Sequence, residues 1–206
     1  IMPQYTVYLA PPGYEQDLID ELGPRVIDVR GRLVRASGGP RHAAWAQNIW
    51  LDPVEMRIGS IGDAATRLKG IQRNWFLHAV DHHRRSALIA GKLPHVSARP
   101  HVFGTPAPTA PLGSWTLWEH DLVIASARCS SPFPDGEVHF VENRIDPPTR
   151  AYLKLWETFT RLGVQPAPGE LCLDMGSCPG GWTWVLAGLG ARVFSVDKAD
   201  IAPHIA

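Results

Sequence analysis

Apolar positions along the chain fall into two periods, separated by gaps rich in proline and glycine. Residues 5–10, Tyr-Thr-Val-Tyr-Leu-Ala, form a β-rich run that stops at Pro11-Pro12-Gly13, which predicts a strand. From Tyr14 the period lengthens. Tyr14, Leu18 and Leu22 stand at i, i+4 and i+8, one stripe of a helix that Gly23-Pro24 closes. Residues 26–29 and 33–34 flank Arg30-Gly31-Arg32 and predict a hairpin. This β-α-β-β order is an α+β motif of the split-sheet kind. Further along, the pattern predicts a strand over 54–58, mostly helix over 63–90, and two strands within 115–128 around Glu119-His120-Asp121. Five prolines between 91 and 113 mark an irregular arm.

After Pro147-Pro148-Thr149 a second unit is expected, beginning near Asp146. Tyr152, Leu155, Trp156, Phe159 and Leu162 follow helical spacing, and Gly163 supplies the stop. Residues 171–200, LCLDMGSCPGGWTWVLAGLGARVFSVDKAD, read as strand, glycine loop, helix, second strand and then an acid.

Composition narrows the class. The 206 residues suit one ordinary domain or two small ones, and 45% apolar content with eight tryptophans is enough for a core. Three scattered cysteines make neither a disulfide framework nor a zinc cluster. No apolar run approaches the roughly 20 residues of a membrane span, and no secretory signal opens the chain. A cytoplasmic, monomeric protein with no membrane partner is expected. No metal is expected either, because the adjacent His82 and His83 beside Asp81 diverge on a helix. The chain opens Ile1-Met2; Met2 reads as a natural start, so Ile1 is either an added residue or the sign of an excerpt.

Net charge is zero, with 20 basic and 20 acidic residues. The distribution is uneven. Arg67, Lys69, Arg73, Arg84, Arg85, Lys92 and Arg99 lie between 64 and 101 against the single acid Asp81. Such an excess suits RNA phosphates and counterion release; a solvated helix face is the other reading.

The loop Asp174-Met-Gly176-Ser-Cys178-Pro179-Gly180-Gly181 carries the chemistry. Glycines between a strand's carboxyl end and a helix let backbone approach a ligand. The loop lacks the Gly-Lys-Ser/Thr of a phosphate loop and the G-x-G-x-x-G of a dinucleotide site, and Pro179 removes an N–H. Asp174 at the mouth repels phosphate and suits an ammonium or sulfonium. Asp197, at the end of the next strand, is placed to accept from ribose hydroxyls. Two acids, a glycine turn and no phosphate lysine describe S-adenosylmethionine. Acids merely facing solvent beside a tight turn are the alternative.

"LDMGSCPGGWTWVL" resembles the first motif of FtsJ-like methyltransferases, and its Cys-Pro-Gly-Gly-Trp form is similar to the ribosomal RNA large-subunit methyltransferase M family. "SPF" at 131–133 and "PPTRAYLKLWETF" at 147–159 extend the resemblance over roughly 129–200. It implies 2′-O-methylation of a cytidine ribose in large-subunit ribosomal RNA. It also implies a ferredoxin-like, THUMP-type RNA-binding region over 1–128, with its arm at 91–113, ahead of the start of a Rossmann-like sheet over 129–206. Cofactor contacts are implied for Cys178, Pro179, Gly180, Gly181 and Trp182, with Asp197 at the adenosine. Ala151 stands where the family can show a serine, so only a backbone or packing contact is expected there. Lys154 matches the first lysine of the catalytic Lys-Asp-Lys-Glu set; without the resemblance it reads as a solvent-facing lysine. Trp182 and Trp184 are candidates to line the methyl pocket, helix–sheet packing being expected for at least one.

The sheet the resemblance implies needs about seven strands, and this chain supplies two of them. The remaining Asp, Lys and Glu are expected after Ala206, so these 206 residues alone are expected to show no methyl transfer. A non-catalytic RNA-binding module with a degenerate cofactor loop, and a methyltransferase for a small molecule or protein, stay open beside the leading reading.

Overall fold

In the computed structural model, residues 5–205 are described; the Ile1-Met2 start lies outside them. The described residues are mixed α/β with three sheets, and the chain divides into two compact units, Ile1–Ala98 with Pro108–Glu137, and Arg99–Ala107 with Val138–Ala206.

Alternation in the first strand sets up the layers of the first unit. β1 (Tyr5–Leu9) turns Val7 and Leu9 to one side and Tyr8 to the other, and all three are fully buried. It lies inside an antiparallel sheet in the order β2 (Val26–Arg30), β3 (Leu33–Ser37), β1, β4 (Asn48–Trp50). Val7 stands opposite Arg35 on one neighbour and Trp50 on the other. α1 (Glu15–Leu22) connects β1 to β2, and β3 separates the two strands it joins, as the split-sheet expectation required.

Leu18 and Leu22 of α1 pack on Tyr8, Val34 and Ala36. The expected third member of that stripe does not join them. Tyr14 is the N-cap residue, outside the helical spiral, and at 47% exposure it stacks on Trp45 with ring centroids 4.9 Å apart.

The other face of this sheet, Val7, Leu9, Leu33 and Trp50, meets Trp118, Leu122 and Ile124 of a second sheet. That sheet runs β5 (Pro53–Arg57), β8 (Leu122–Ser126), β7 (Gly113–Glu119), β6 (Trp75–Leu77), with β6 parallel to β7 and the other pairs antiparallel. Its far side, Trp115, Leu117, Val123 and Ala125, packs on Ala64 and Leu68 of α2 (Ile61–Ile71) and Ile89 of α3 (His83–Ala90). The first unit is therefore layered helix, sheet, sheet, helices.

The mostly helical stretch expected over 63–90 forms two helices, with a strand between Ile71 and His83. α2 starts where the Ser60 hydroxyl accepts from Asp63 N at 3.0 Å. It stops where the Trp75 indole donates to the Leu68 and Gln72 carbonyls at 2.9 and 3.0 Å. Trp75-Phe-Leu then joins the sheet beside Gly113, where a Cβ would come within 2.7 Å of the Trp75 ring.

The second unit is built on aromatic contacts. α4 (Tyr152–Leu162) buries Tyr152, Leu155 and Trp156. Trp156 stacks on Phe103 at 4.6 Å and meets Phe140 and Tyr152 edge-on at 5.5 and 4.7 Å. Leu162, expected on the same stripe, is 69% exposed in the last turn before Gly163. β9 (Leu171–Met175), α5 (Gly181–Gly188) and β10 (Arg192–Val196) form a parallel βαβ unit, with Leu173 opposite Phe194 and Asp174 opposite Ser195. Alternate residues Leu171, Leu173, Met175, Phe194 and Val196 are each more than half exposed.

Candidate functional site

The loop between β9 and α5 takes its shape from its own main chain. Gly176 N and Ser177 N both donate to the Val196 carbonyl, and Gly180 N donates to Ser177 O. Cys178 N donates to Asp197 Oδ2 at 2.8 Å. Pro179, after a cis peptide bond, has no N–H to give. Every N–H from 176 to 180 is thus bonded within the protein. Within 176–180 the turn itself therefore offers no row of free donors.

Two glycines are required here for different reasons. Gly180 adopts φ +108°, which strains any side-chain-bearing residue, and a Cβ on it would lie 3.0 Å from Ile205. Gly181 lets the start of α5 approach the start of α4. A Cβ there would lie 2.9 Å from Thr149 Oγ1 and 3.5 Å from Tyr152 N.

A cavity of about 240 Å³ opens beside the loop. On the loop side it is lined by Asp174, Gly176, Cys178, Pro179 and Gly181, and on the helix side by Ala151, Lys154 and Trp182. Eight of the residues singled out in the sequence, from two motifs some 20 positions apart, therefore share one wall. Thr149, Met175 and Ser177 also line it; the sequence reading passed over Thr149, and its place in the Pro-Pro-Thr start of α4 was the available signal.

Asp174 is 5% exposed, and its Oδ2 accepts from Thr183 Oγ1 at 2.7 Å. Thr183 in turn lies 2.6 Å from the Ser195 hydroxyl. This relay pins one carboxylate oxygen, and the acid still lines the cavity. Lys154 is exposed, and among the described residues it forms no ion pair.

Trp182 lines the cavity and donates its indole N–H to the Ala151 carbonyl at 3.0 Å. Trp184 packs instead on Tyr152 and Trp156, at 5.4 and 6.1 Å between ring centroids. One tryptophan faces the cavity and the other builds the core.

Gly180 and Asp197 do not line the cavity. Asp197 turns its carboxylate back to the loop, where Cys178 N and then Ala199 N hold it below the ordinary carboxylate range. A carboxylate has about four acceptor sites, so this does not use up its capacity for ribose hydroxyls.

The basic residues lie in the first unit, on its outer helices. Arg67 and Lys69 are on α2, Arg73 follows it, Arg84 and Arg85 are on α3, and Lys92 follows α3. All are exposed except half-buried Arg85. Arg67 is already bound to Asp63, Nε to Oδ1 at 2.9 Å, an acid one position outside the stretch counted from the sequence. Among the described residues no three His, Cys, Asp or Glu side chains gather as a metal site, and no helix is long and apolar enough to cross a membrane.

The loop, the flanking βαβ unit and the helix that carries Lys154 fall within a stretch that matches a known family. Residues 148–205 match the FtsJ-like methyltransferases. Among individual relatives, the chain is similar to proteins named ribosomal RNA large subunit methyltransferase M. With that of Halorhodospira halophila it is 44% identical over 62 residues, 29% of this chain and 18% of the relative. With that of Marinomonas sp. it is 26% identical over 181 residues, 85% of this chain and 46% of the relative. The Xanthomonas axonopodis protein is 33% identical over 90 residues, 41% of this chain and 26% of its own. The chain spans less than half the length of these relatives.

Proposed function

We propose that the chain carries the cofactor loop and part of the acceptor site of an S-adenosylmethionine-dependent methyltransferase of ribosomal RNA, acting on a ribose 2′-hydroxyl of the large subunit. The observation that carries this reading is the cavity wall. Its turn has no free N–H between 176 and 180, and a buried acid, Asp174, stands beside it. The Asp174 charge at this wall disfavours anionic phosphate and favours a cationic adenosyl ligand. The relatives, named as ribosomal RNA methyltransferases, supply the acceptor class.

The residues fit that ligand. Asp174, Gly176, Cys178, Pro179, Gly181 and Trp182 would hold it, Ala151 through its carbonyl's grip on Trp182, with Gly180 shaping the turn and Asp197 bracing it. The cofactor supplies a methyl group on a sulfonium. Lys154, on the same wall, presents its donors to the acceptor hydroxyl and fixes that oxygen's position. Arg67, Lys69, Arg73, Arg84, Arg85 and Lys92 belong to an RNA-facing surface in an N-terminal, THUMP-type region over 1–128, followed by a Rossmann-like domain from 129. The split-sheet order β2-β3-β1-β4 supports a ferredoxin-like start to the N-terminal region; the compact units divide at 137/138, with 99–107 on the second unit's side.

One observation favours the rival reading, a non-catalytic RNA-binding module. Lys154 is exposed and has no acid partner among the described residues. The two readings part on one experiment. The whole protein is incubated with ribosomal RNA and methyl-labelled cofactor, and alkaline-resistant linkages are mapped. One resistant linkage, lost in Lys154→Ala while cofactor affinity stays, is the expected outcome. No resistant linkage with RNA binding intact favours the rival.

A further inference from the structure

A second cavity in the same unit adjoins the Lys154 wall and is lined by charge rather than by the glycine loop. It measures about 420 Å³, and its lining includes Glu142, Asn143, Arg144, Thr149, Arg150 and Tyr152. Thr149 belongs to both cavities, so the two are neighbours across one residue. We propose that this 142–150 loop is a phosphate-holding subsite for the RNA strand, with Arg144 and Arg150 as its two forks; the inference rests on the RNA methyltransferase reading above.

The loop is built to hold its shape. Asn143 Oδ1 accepts from Ile145 N and Asp146 N at 3.0 and 3.1 Å, and its Nδ2 donates to Asp146 Oδ2 at 2.7 Å. From below, the buried Tyr152 donates its hydroxyl to the Asn143 carbonyl at 2.9 Å. Pro147 and Pro148 stiffen the far rim.

Glu142 is shared unevenly at this rim. Arg150 reaches Glu142 Oε1 at 2.6 Å and Arg144 lies 3.3 Å from Glu142 Oε2, so two guanidiniums share one carboxylate. Glu142 is the sheltered member at 19% side-chain exposure, while Arg144 and Arg150 are 81% and 76% exposed. Exposed ion pairs of this kind add about 0–1 kcal/mol to stability, so the arrangement contributes little to folding. It does hold two planar forks at one rim, where they outnumber Glu142 two to one although Asp146 brings the 142–150 loop to net zero, and a guanidinium pairs with phosphate through two parallel hydrogen bonds. A ribose in a strand carries a phosphate on each side. An acceptor sugar at Lys154 must therefore lead its strand past the neighbouring surface, and the Thr149 rim leads to these arginines.

The test uses the intact polypeptide and a fluorescent single-stranded RNA copied from large-subunit ribosomal RNA, with affinity measured across a salt series. Arg144→Gln with Arg150→Gln is expected to weaken RNA binding and make the slope of log K against log salt shallower by about 1.4, two contacts at about 0.7 each on a single strand. Cofactor affinity, measured alongside, is expected to be unchanged, which also reports an intact fold. Glu142→Gln is expected to tighten RNA binding by freeing both forks. Unchanged affinity and slope in the double variant, or weaker binding in Glu142→Gln, overturns the subsite and leaves the methyltransferase reading standing. Slopes that shift as expected in a protein that ignores S-adenosylmethionine leave the subsite and sink that reading. A parent that binds no RNA at all overturns the subsite.

Discussion

Asp174 lies near the end of β9 and Asp197 just after β10, and the sequence casts the first as the acid facing a sulfonium and the second as the ribose acceptor. In the fold they differ. Asp174 is buried, bonded by Thr183, and part of the cavity wall. Asp197 is exposed and braces the loop by accepting from Cys178 N and Ala199 N, which hold its carboxyl below the ordinary range. A depressed folded value fixes the sign. The contribution of this group is fully present above the unfolded carboxylate value and is lost as pH falls through the lower folded one. Cofactor affinity titrated downward from neutrality is therefore expected to stay level through the mildly acid range and then drop. Asp197→Asn is expected to start weaker and to lack that drop; an identical acid limb in the variant assigns it to another group. The sequence could not show that Asp197 turns back to the loop, because that depends on side-chain direction. The same is true of Trp182 and Trp184, two residues apart on α5, one at the cavity and one in the core.

Among elements, the contact between α4 and α5 matters most, because it brings Lys154 to the glycine loop. It depends on Gly181, where an added Cβ would press on Thr149 and the Tyr152 backbone. Gly181→Val is expected to destabilise this unit by about 1–3 kcal/mol, the usual range for overpacking, and to weaken cofactor binding. Urea unfolding followed by tryptophan fluorescence checks the first effect, since Trp156 and Trp184 report on this core. An unchanged midpoint contradicts the close-approach account. Elements with clear periods were legible in advance: β1, α4, and the β9–α5–β10 unit all follow the pattern of the sequence. β4 and β6 were not, because three-residue strands such as Asn48–Trp50 and Trp75–Leu77 carry no alternation. Trp75 ends α2 through its indole N–H, which a helical window cannot register.

For the whole molecule, a net charge of zero conceals an uneven distribution, with basic residues concentrated on α2, α3 and the turns after them. Arg67 is already paired with Asp63, so fewer charges are free there than the sequence count implied. Arg84→Gln with Arg85→Gln is expected to make the salt dependence of RNA binding shallower by about 1.4 on the same basis of about 0.7 per contact. A slope identical to the parent's would favour a small-molecule or protein acceptor. The central claim, however, concerns the cavity beside the 176–180 turn, and calorimetry on the intact polypeptide tests it most directly. Saturable binding of S-adenosylmethionine, with no heat from ATP or NAD at the same concentrations, is the predicted result. Uptake of ATP or NAD with indifference to S-adenosylmethionine would contradict it.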